Sequence, residues 1–203
     1  MAATEKARLV LSVTASARAR LPSRFGNFDV VGFTTAEGAE FAAVVKGDVD
    51  GMAGVPVRLH SECFTGDVMG SLKCDCRDQL EAALNFLGRS ERGVVVYLRQ
   101  EGRGIGLVNK VRAYALQDEG LDTVQANQAL GFDDDLRRYD EAAEAVKALG
   151  IESVVLMTNN PKKIEGLRRG GVPVVGTLPV RTPPNKHNAF YLETKKKKSG
   201  HLL

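Results

Sequence analysis

The sequence predicts a single α/β domain in which helices are layered around a mixed β-sheet. Two observations carry this prediction. Short runs of β-type residues separated by turns fill the first half of the chain, and apolar runs alternate with helical periodicity in the second half. The chain has 203 residues, of which 43% are hydrophobic and 26% charged, so it is long enough and apolar enough to bury one sizeable core.

The first half contains three predicted strands, each of which follows a turn with a glycine. They occupy residues 28–33, 40–46 and 55–59, and we expect them to pair as antiparallel or mixed strands. A helix is predicted from Asp78, because Leu80, Ala83, Leu84 and Leu87 recur at helical spacing and a glycine follows the last of them.

An all-apolar run over residues 94–98 predicts a buried strand, and a glycine-rich turn at residues 102–106 leads into a second helix that ends at Gly120. The apolar face that the periodicity indicates for this helix comprises Leu107, Val108, Val111, Tyr114 and Ala115. Two more helices are predicted, one closed by Gly150 and one opened by Pro161, with strands at residues 154–157 and 172–175.

The charge of the chain identifies no partner. The formal net charge is +3, but the four lysines at 195–198 supply +4, which leaves the rest of the chain near −1. The lysine run marks residues 195–203 as a basic tail. A cytoplasmic protein is expected, since the sequence has neither an apolar run long enough to span a membrane nor an apolar signal core at its N-terminus.

The three cysteines are clustered. Cys63, Cys74 and Cys76 fall within 14 residues, and an odd number in a cytoplasmic chain argues against structural disulfides. Three thiolates suit zinc, and a site with three protein ligands leaves the fourth position for water, as catalytic zinc requires. Two alternatives stay open on the sequence alone: structural zinc completed by His60 or a distant histidine, and buried cysteines that bind no metal.

Three segments carry groups that suit phosphate or proton chemistry. Residues 99–106 combine three glycines with two arginines between a strand and a helix, an arrangement that fits a phosphate but also an ordinary turn. Lys162 and Lys163 begin a helix, where a bound anion would offset their conflict with the helix dipole, although a solvated face explains them equally well. Residues 133–139 bring together carboxylate, guanidinium and phenol groups, and acidic residues there also suit helix capping.

Taken together, the motifs resemble one family along the chain from about Leu21 onward. The resemblance therefore divides the chain into an N-terminal extension (residues 1–20) and one domain (21–194), which the basic tail follows. The motifs occupy residues 58–63, 65–67, 74–79, 99–103, 109–118, 122–123, 127–131, 135–139, 158–163 and 200–203. In this order they resemble GTP cyclohydrolase II, the enzyme that opens riboflavin biosynthesis. The resemblance implies hydrolysis of GTP to formate, diphosphate and 2,5-diamino-6-ribosylamino-4(3H)-pyrimidinone 5′-phosphate. It also implies one zinc ion per subunit, magnesium on the GTP phosphates, and a homodimer.

The resemblance further implies roles for individual residues. The zinc ligands would be Cys63, Cys74 and Cys76. Asp135 would accept a proton, Arg137 would attack or grip the α-phosphate, and Tyr114 would assist at the guanine ring. The residues expected to hold GTP are Arg58, Leu59, His60, Ser61, Glu62, Gln79, Glu101, Gly102, Arg103, Thr123, Thr158 and Lys163. Arg77 and Asp78 depart from the family pattern, which usually has glycine after the Cys-Asp-Cys triplet, and this bears on how Gln79 is presented.

Three other functions compete with this one. A nucleotide-binding module with structural zinc would bind GTP without cleaving it. A nucleic-acid-binding protein is disfavoured by the 6% aromatic content, the absence of tryptophan and the balanced charge. A family member that stops at the ring-opened formamide would release no formate. We also expect no 3,4-dihydroxy-2-butanone 4-phosphate synthase half, because residues 1–20 are too few to form it.

Overall fold

The computed structural model describes residues 13–180 and 182–188, and it confirms the predicted single α/β domain. These residues form seven strands: β1 Val13–Ser23, β2 Gly26–Thr35, β3 Glu40–Lys46, β4 Val55–Ser61, β5 Gly93–Leu98, β6 Val154–Met157 and β7 Val174–Leu178. The α-helices are α1 Cys76–Arg89, α2 Gly106–Asp118, α3 Thr123–Ala129, α4 Asp140–Ala148 and α5 Pro161–Arg169. The predicted basic tail lies outside the described residues.

All seven strands belong to one mixed sheet, in the order β1-β2-β3-β5-β4-β6-β7. Strands β1, β2, β3 and β5 pair antiparallel with their neighbours, whereas β5, β4, β6 and β7 run parallel. The carboxyl ends of the parallel strands therefore meet at one edge of the sheet, which is where ligands bind in open α/β sheets.

Hydrophobic side chains cover both faces of this sheet. Along β5, Val94 and Val96 belong to one buried cluster while Val95 belongs to the other, as the two-residue period of a strand requires. Helices α4 and α5 pack on the first face, and α1 packs on the second through Ala83 and Leu87. The resulting three layers fix the edge of the sheet at which the carboxyl ends of the parallel strands meet.

The sequence missed β1 and α3. Nearly every residue of β1 is exposed, so the strand lacks the apolar alternation that predicts one, and its first residues fall within the expected N-terminal extension. Helix α3 has only seven residues, too few for a clear period. Helix α3 begins instead with a capping box, in which Asp122 accepts from the N–H groups of Val124 and Gln125 while Gln125 accepts from the N–H of Asp122.

The predicted buried face of α2 is wrong. Val108 and Val111 are 64% and 54% exposed, and Leu107 is also exposed, whereas Lys110 and Ala113 are buried. Helix α2 packs against α3 and the short helical turn Glu101–Gly104, not against the apolar sheet, so its buried side is chosen by polar contacts that hydrophobic periodicity does not register. Within the described part of the chain, no helix is long and apolar enough to cross a membrane.

We expect Asp122→Ala to lower the free energy of unfolding by about 1 kcal/mol, the usual cost of losing an N-terminal cap. Urea unfolding followed by circular dichroism measures it. The control is Asp133→Ala, an exposed carboxylate in the next loop, which should stay within about 0.5 kcal/mol of the wild type. Equal urea midpoints for the wild type and both variants would show that the capping box does not stabilise α3.

Candidate active site

The three cysteines meet at the carboxyl edge of the parallel strands. Cys63 follows β4 by two residues, Cys74 lies in the loop that leads to α1, and Cys76 is the first residue of that helix. A single π-helical turn, Phe64–Val68, reverses the chain between the first two cysteines. The sulfur atoms of all three lie within 4.8 Å of one another, so the sequence cluster is also a cluster in space.

These sulfur atoms fit a tetrahedral zinc ion. The Cys63 and Cys74 Sγ atoms are 3.7 Å apart, and two thiolates bound to one zinc at about 2.3 Å lie about 3.8 Å apart at the tetrahedral angle. Gly66 leaves the space that the triad uses, because a Cβ atom there would come within 2.8 Å of the Cys74 sulfur and 3.1 Å of the Cys63 sulfur. The residues present therefore suit a zinc ion with three protein ligands.

His60 is not placed as a fourth ligand. Its Nε2 lies 3.0 Å from the Asp67 carboxylate, and among the described residues the ligand cluster contains the cysteines alone. Burial lowers the pKa of His60 despite the opposing effect of Asp67, so the ring is neutral and Nε2–H donates. Asp67 also accepts from the backbone N–H of Cys63 and from the Tyr97 hydroxyl, and it thereby fixes the turn that carries Cys63.

A buried ion pair adjoins the triad. Lys110 donates from Nζ to the Cys63 Sγ at 3.0 Å and to Glu101 Oε1 at 2.8 Å. Burial alone would lower the pKa of Lys110, but the hydrogen bond to Glu101 and the negative charge of Cys63 raise it well above its usual range. Hydrogen bonds from the neighbouring thiols, together with this ammonium, lower the pKa of Cys63 despite its burial. Cys63 is therefore ready to act as a thiolate ligand.

A cleft opens beside the triad. Its walls bring together predicted residues from six separate segments. They are Ser61, Glu62, Cys63, Cys74, Cys76, Glu101, Gly102, Arg103, Tyr114, Thr123 and Arg137. The Tyr114 hydroxyl lies 3.4 Å from that of Thr65, and burial raises the pKa of Tyr114 to about 12. The cleft thus brings the cysteine cluster together with the side chains of Arg103 and Arg137.

The remaining predicted GTP-binding residues do not line this cleft. Arg58 donates to the Met157 carbonyl and to Gln79, and although burial lowers its pKa to about 10 it stays charged at neutral pH. Lys163 donates to the carbonyl of Leu59, whose side chain is fully buried in the core. The other members, His60 and Thr158, are also buried. Direct contact of this group with GTP remains a prediction.

Asp135 and Arg137 form a two-point ion pair. Arg137 donates from Nε to one carboxylate oxygen at 2.8 Å and from Nη2 to the other at 2.9 Å. Burial would raise the pKa of Asp135, but these bonds and the charge of Arg137 lower it. Arg103 pairs with Asp134 in the same loop and has a φ of 61°, a left-handed conformation that costs energy for any residue with a side chain.

Sequence reasoning assigned no role to Lys110 or Asp67, although both lie in matched motifs. One signal for Lys110 was available: it precedes Tyr114 by four residues, so the two share a helix face. Helix α2 therefore presents an ammonium and a phenol to the cleft, and the Lys110 Nζ lies 5.7 Å from the centre of the Tyr114 ring. For Asp67 no pattern in the sequence indicates its three partners.

The fold and the site define an α/β protein in which three thiols that could hold a metal ion lie beside a cleft lined by arginines. The model of the GTP cyclohydrolase II family matches residues 14–179, and the chain belongs to that family. GTP cyclohydrolase-2 of Picrophilus torridus is 52% identical over 92% of this chain and 97% of its own length, and that of Aeromonas hydrophila is 50% identical over 95% and 98%.

Longer relatives match too. The riboflavin biosynthesis protein RibBA of Bacillus subtilis is 52% identical over 90% of this chain, which corresponds to 46% of RibBA. Among solved structures, RibBX, a two-domain 3,4-dihydroxy-2-butanone 4-phosphate synthase from A. baumannii, matches 85% of this chain and 41% of its own with a TM-score of 0.47 and 18% identity.

We expect Gly66→Ala to weaken zinc binding at least about tenfold, because the added methyl group displaces the Cys74 and Cys63 sulfur atoms. Titration with a competing chelator measures the affinity. The matched control is Gly176→Ala, whose new methyl group would lie no closer than 3.7 Å to any neighbour. Unchanged affinity in a folded Gly66→Ala protein would contradict the close fit of this turn around the triad.

Proposed function

We propose that Cys63, Cys74 and Cys76 hold a zinc ion with which this chain hydrolyses GTP to formate, diphosphate and 2,5-diamino-6-ribosylamino-4(3H)-pyrimidinone 5′-phosphate. The single observation that carries the proposal is the convergence of three thiols at the end of a cationic cleft. Zinc, when bound, supplies Lewis acidity that makes water nucleophilic at neutral pH. The residues around it bind GTP, orient it and move protons.

Tyr114 is suited to proton transfer at the purine. Its pKa of about 12 keeps the hydroxyl protonated at neutral pH, so it donates a hydrogen bond or a proton and does not act as a base. The hydroxyl lies near Thr65, which itself is 3.7 Å from the Cys63 sulfur. A guanine whose imidazole ring faces the triad would therefore present a ring nitrogen to this donor.

The opposite end of the cleft is suited to the phosphates. Arg103 and Arg137 line it, and Arg58 and Lys163 are buried cations outside the lining of the cleft. Negative charge spreads over the oxygens as diphosphate leaves, and fixed cations stabilise that transition state most. We expect GTP to enter with magnesium on its phosphates. The homodimer and the cytoplasmic location remain predictions.

The ion pair of Asp135 and Arg137 favours Arg137 as a cation that binds the α-phosphate over Arg137 as a nucleophile that attacks it. Both oxygens of the carboxylate accept N–H groups of Arg137, so the pair stabilises a protonated guanidinium. A nucleophilic guanidine would first have to give its proton to a carboxylate whose pKa is already lowered. We therefore propose that Arg137 holds the α-phosphate as a cation and that Asp135 orients it. Proton transfer to Asp135 would require Arg137 to move away.

The function is tested by incubating the protein with GTP, zinc and magnesium and by measuring formate and diphosphate. We expect both products from the wild type. Cys74→Ser should lose zinc and formate release yet keep part of its diphosphate release, because cleavage at the α-phosphate needs no thiolate ligand. Formate production by metal-free protein would refute the role of the thiolates, and neither product from zinc-loaded wild type would identify a binding module.

We expect Arg137→Ala to slow diphosphate release about 10²–10³-fold, the usual effect of removing one donor to a developing charge. Arg138→Ala is the matched control, since its side chain is 73% exposed and pairs with Asp140. Diphosphate assays under saturating GTP compare the two. Wild-type release by Arg137→Ala would eliminate Arg137 as the group that holds the α-phosphate.

A further inference from the structure

Lys110 is a buried cation whose contacts the proposed reaction leaves unused. The residue is 9% exposed, and its ammonium touches a metal-ligand sulfur directly, 3.0 Å from the Cys63 Sγ. An ammonium is costly to bury, so its position needs compensating partners. The thiol and the Glu101 carboxylate supply them.

Glu101 holds Lys110 in place and also contacts the backbone beside Cys63. Its Oε1 accepts from Lys110 and from the backbone N–H of Gly102 at 2.8 Å, and its Oε2 accepts from the backbone N–H of Phe64 at 2.6 Å. Phe64 directly follows Cys63, so the carboxylate fixes both the ammonium that contacts the sulfur and the backbone next to it. This arrangement suits a residue that holds the ligand in place better than one that contacts GTP.

The contact has an electronic consequence. Three thiolates around a divalent ion carry one net negative charge, and thiolates donate electrons strongly enough to weaken the Lewis acidity of the metal. A cation donating to one of the sulfurs withdraws part of that density, and groups around metal ligands commonly tune a site in this way. Cys63 is the sulfur that Lys110 reaches.

We propose that Lys110, oriented by Glu101, is a positioning residue that lowers electron donation from Cys63 to the metal and so keeps the metal acidic. The inference rests on the proposed function, because it requires the thiolates to bind a metal. It assigns Glu101 to this support.

The test is the absorption spectrum of protein loaded with Co²⁺, in which a sulfur-to-cobalt charge-transfer band reports how easily the thiolates give up electrons. We expect Lys110→Met to move the band to longer wavelength, because the Cys63 thiolate then gives up electrons more easily. Lys110→Arg, which keeps the charge, should return the band toward its wild-type position. A purely structural lysine would change thermal stability without moving the band.

Lys73→Met is the matched control. Its ammonium lies 5.1 Å from the centre of the Tyr114 ring, comparable to that of Lys110, but it pairs with Asp118 at the surface of the same cleft. We expect its band to coincide with that of the wild type. An unmoved band in folded, cobalt-loaded Lys110→Met overturns the inference, and so does an equal shift in Lys73→Met.

Two further outcomes are distinguishable. If the wild type shows no charge-transfer band with Co²⁺, the proposed metal site fails and the role of Lys110 fails with it. If the wild type shows the band but Lys110→Met leaves its wavelength unchanged, the role of Lys110 is refuted while the proposed metal site stands. Should Lys110→Met not fold, Lys110→Gln takes its place. It keeps an N–H donor without charge, so its band must also move to longer wavelength.

Discussion

The site depends on the buried carboxylate of Asp67. This one group accepts from the His60 ring, the Tyr97 hydroxyl and the backbone N–H of Cys63, and so it joins β4, β5 and the turn between the first two cysteines. A buried carboxylate is stable only when its oxygens are satisfied, and here its partners lie on separate elements. The position of the first thiol is thus fixed by polar contacts within the sheet edge.

The parallel strands place further functional residues at the same edge of the sheet as Asp67. Residues that follow β4, β5 and β6 carry the first thiol, Glu101 and Thr158, and all emerge at the same edge because the strands share one direction. Burying cations such as Arg58 and Lys163 costs solvation, and strand-end carbonyls of Met157 and Leu59 offset that cost. These two cations are therefore held in fixed directions before any ligand arrives, which is what electrostatic stabilisation requires.

The sequence predicted correctly those elements whose formation depends on apolar burial or on short spacing along the chain. The strands at residues 40–46 and 94–98 and the first helix formed because their apolar side chains enter the core, and the clustered cysteines met because only a short loop separates them. Strand β1 escaped prediction because backbone pairing with β2 holds it while its side chains stay exposed. The face of α2 was predicted wrongly because Lys110 makes its buried contacts, and charge pairing at long range leaves no period in the sequence.

The exposed apolar side chains of α2 show how this helix is attached to the domain. A helix with exposed Val108 and Val111 gains little from apolar burial on that side, so its attachment depends on α3 and on the contacts that Lys110 and Tyr114 make at the site. The ammonium requires a thiolate or carboxylate partner, and the thiolate is stabilised in turn by the ammonium. The cysteine cluster and the helix beside it are therefore mutually dependent: the residues proposed to shape the chemistry also supply the interactions that keep α2 in position.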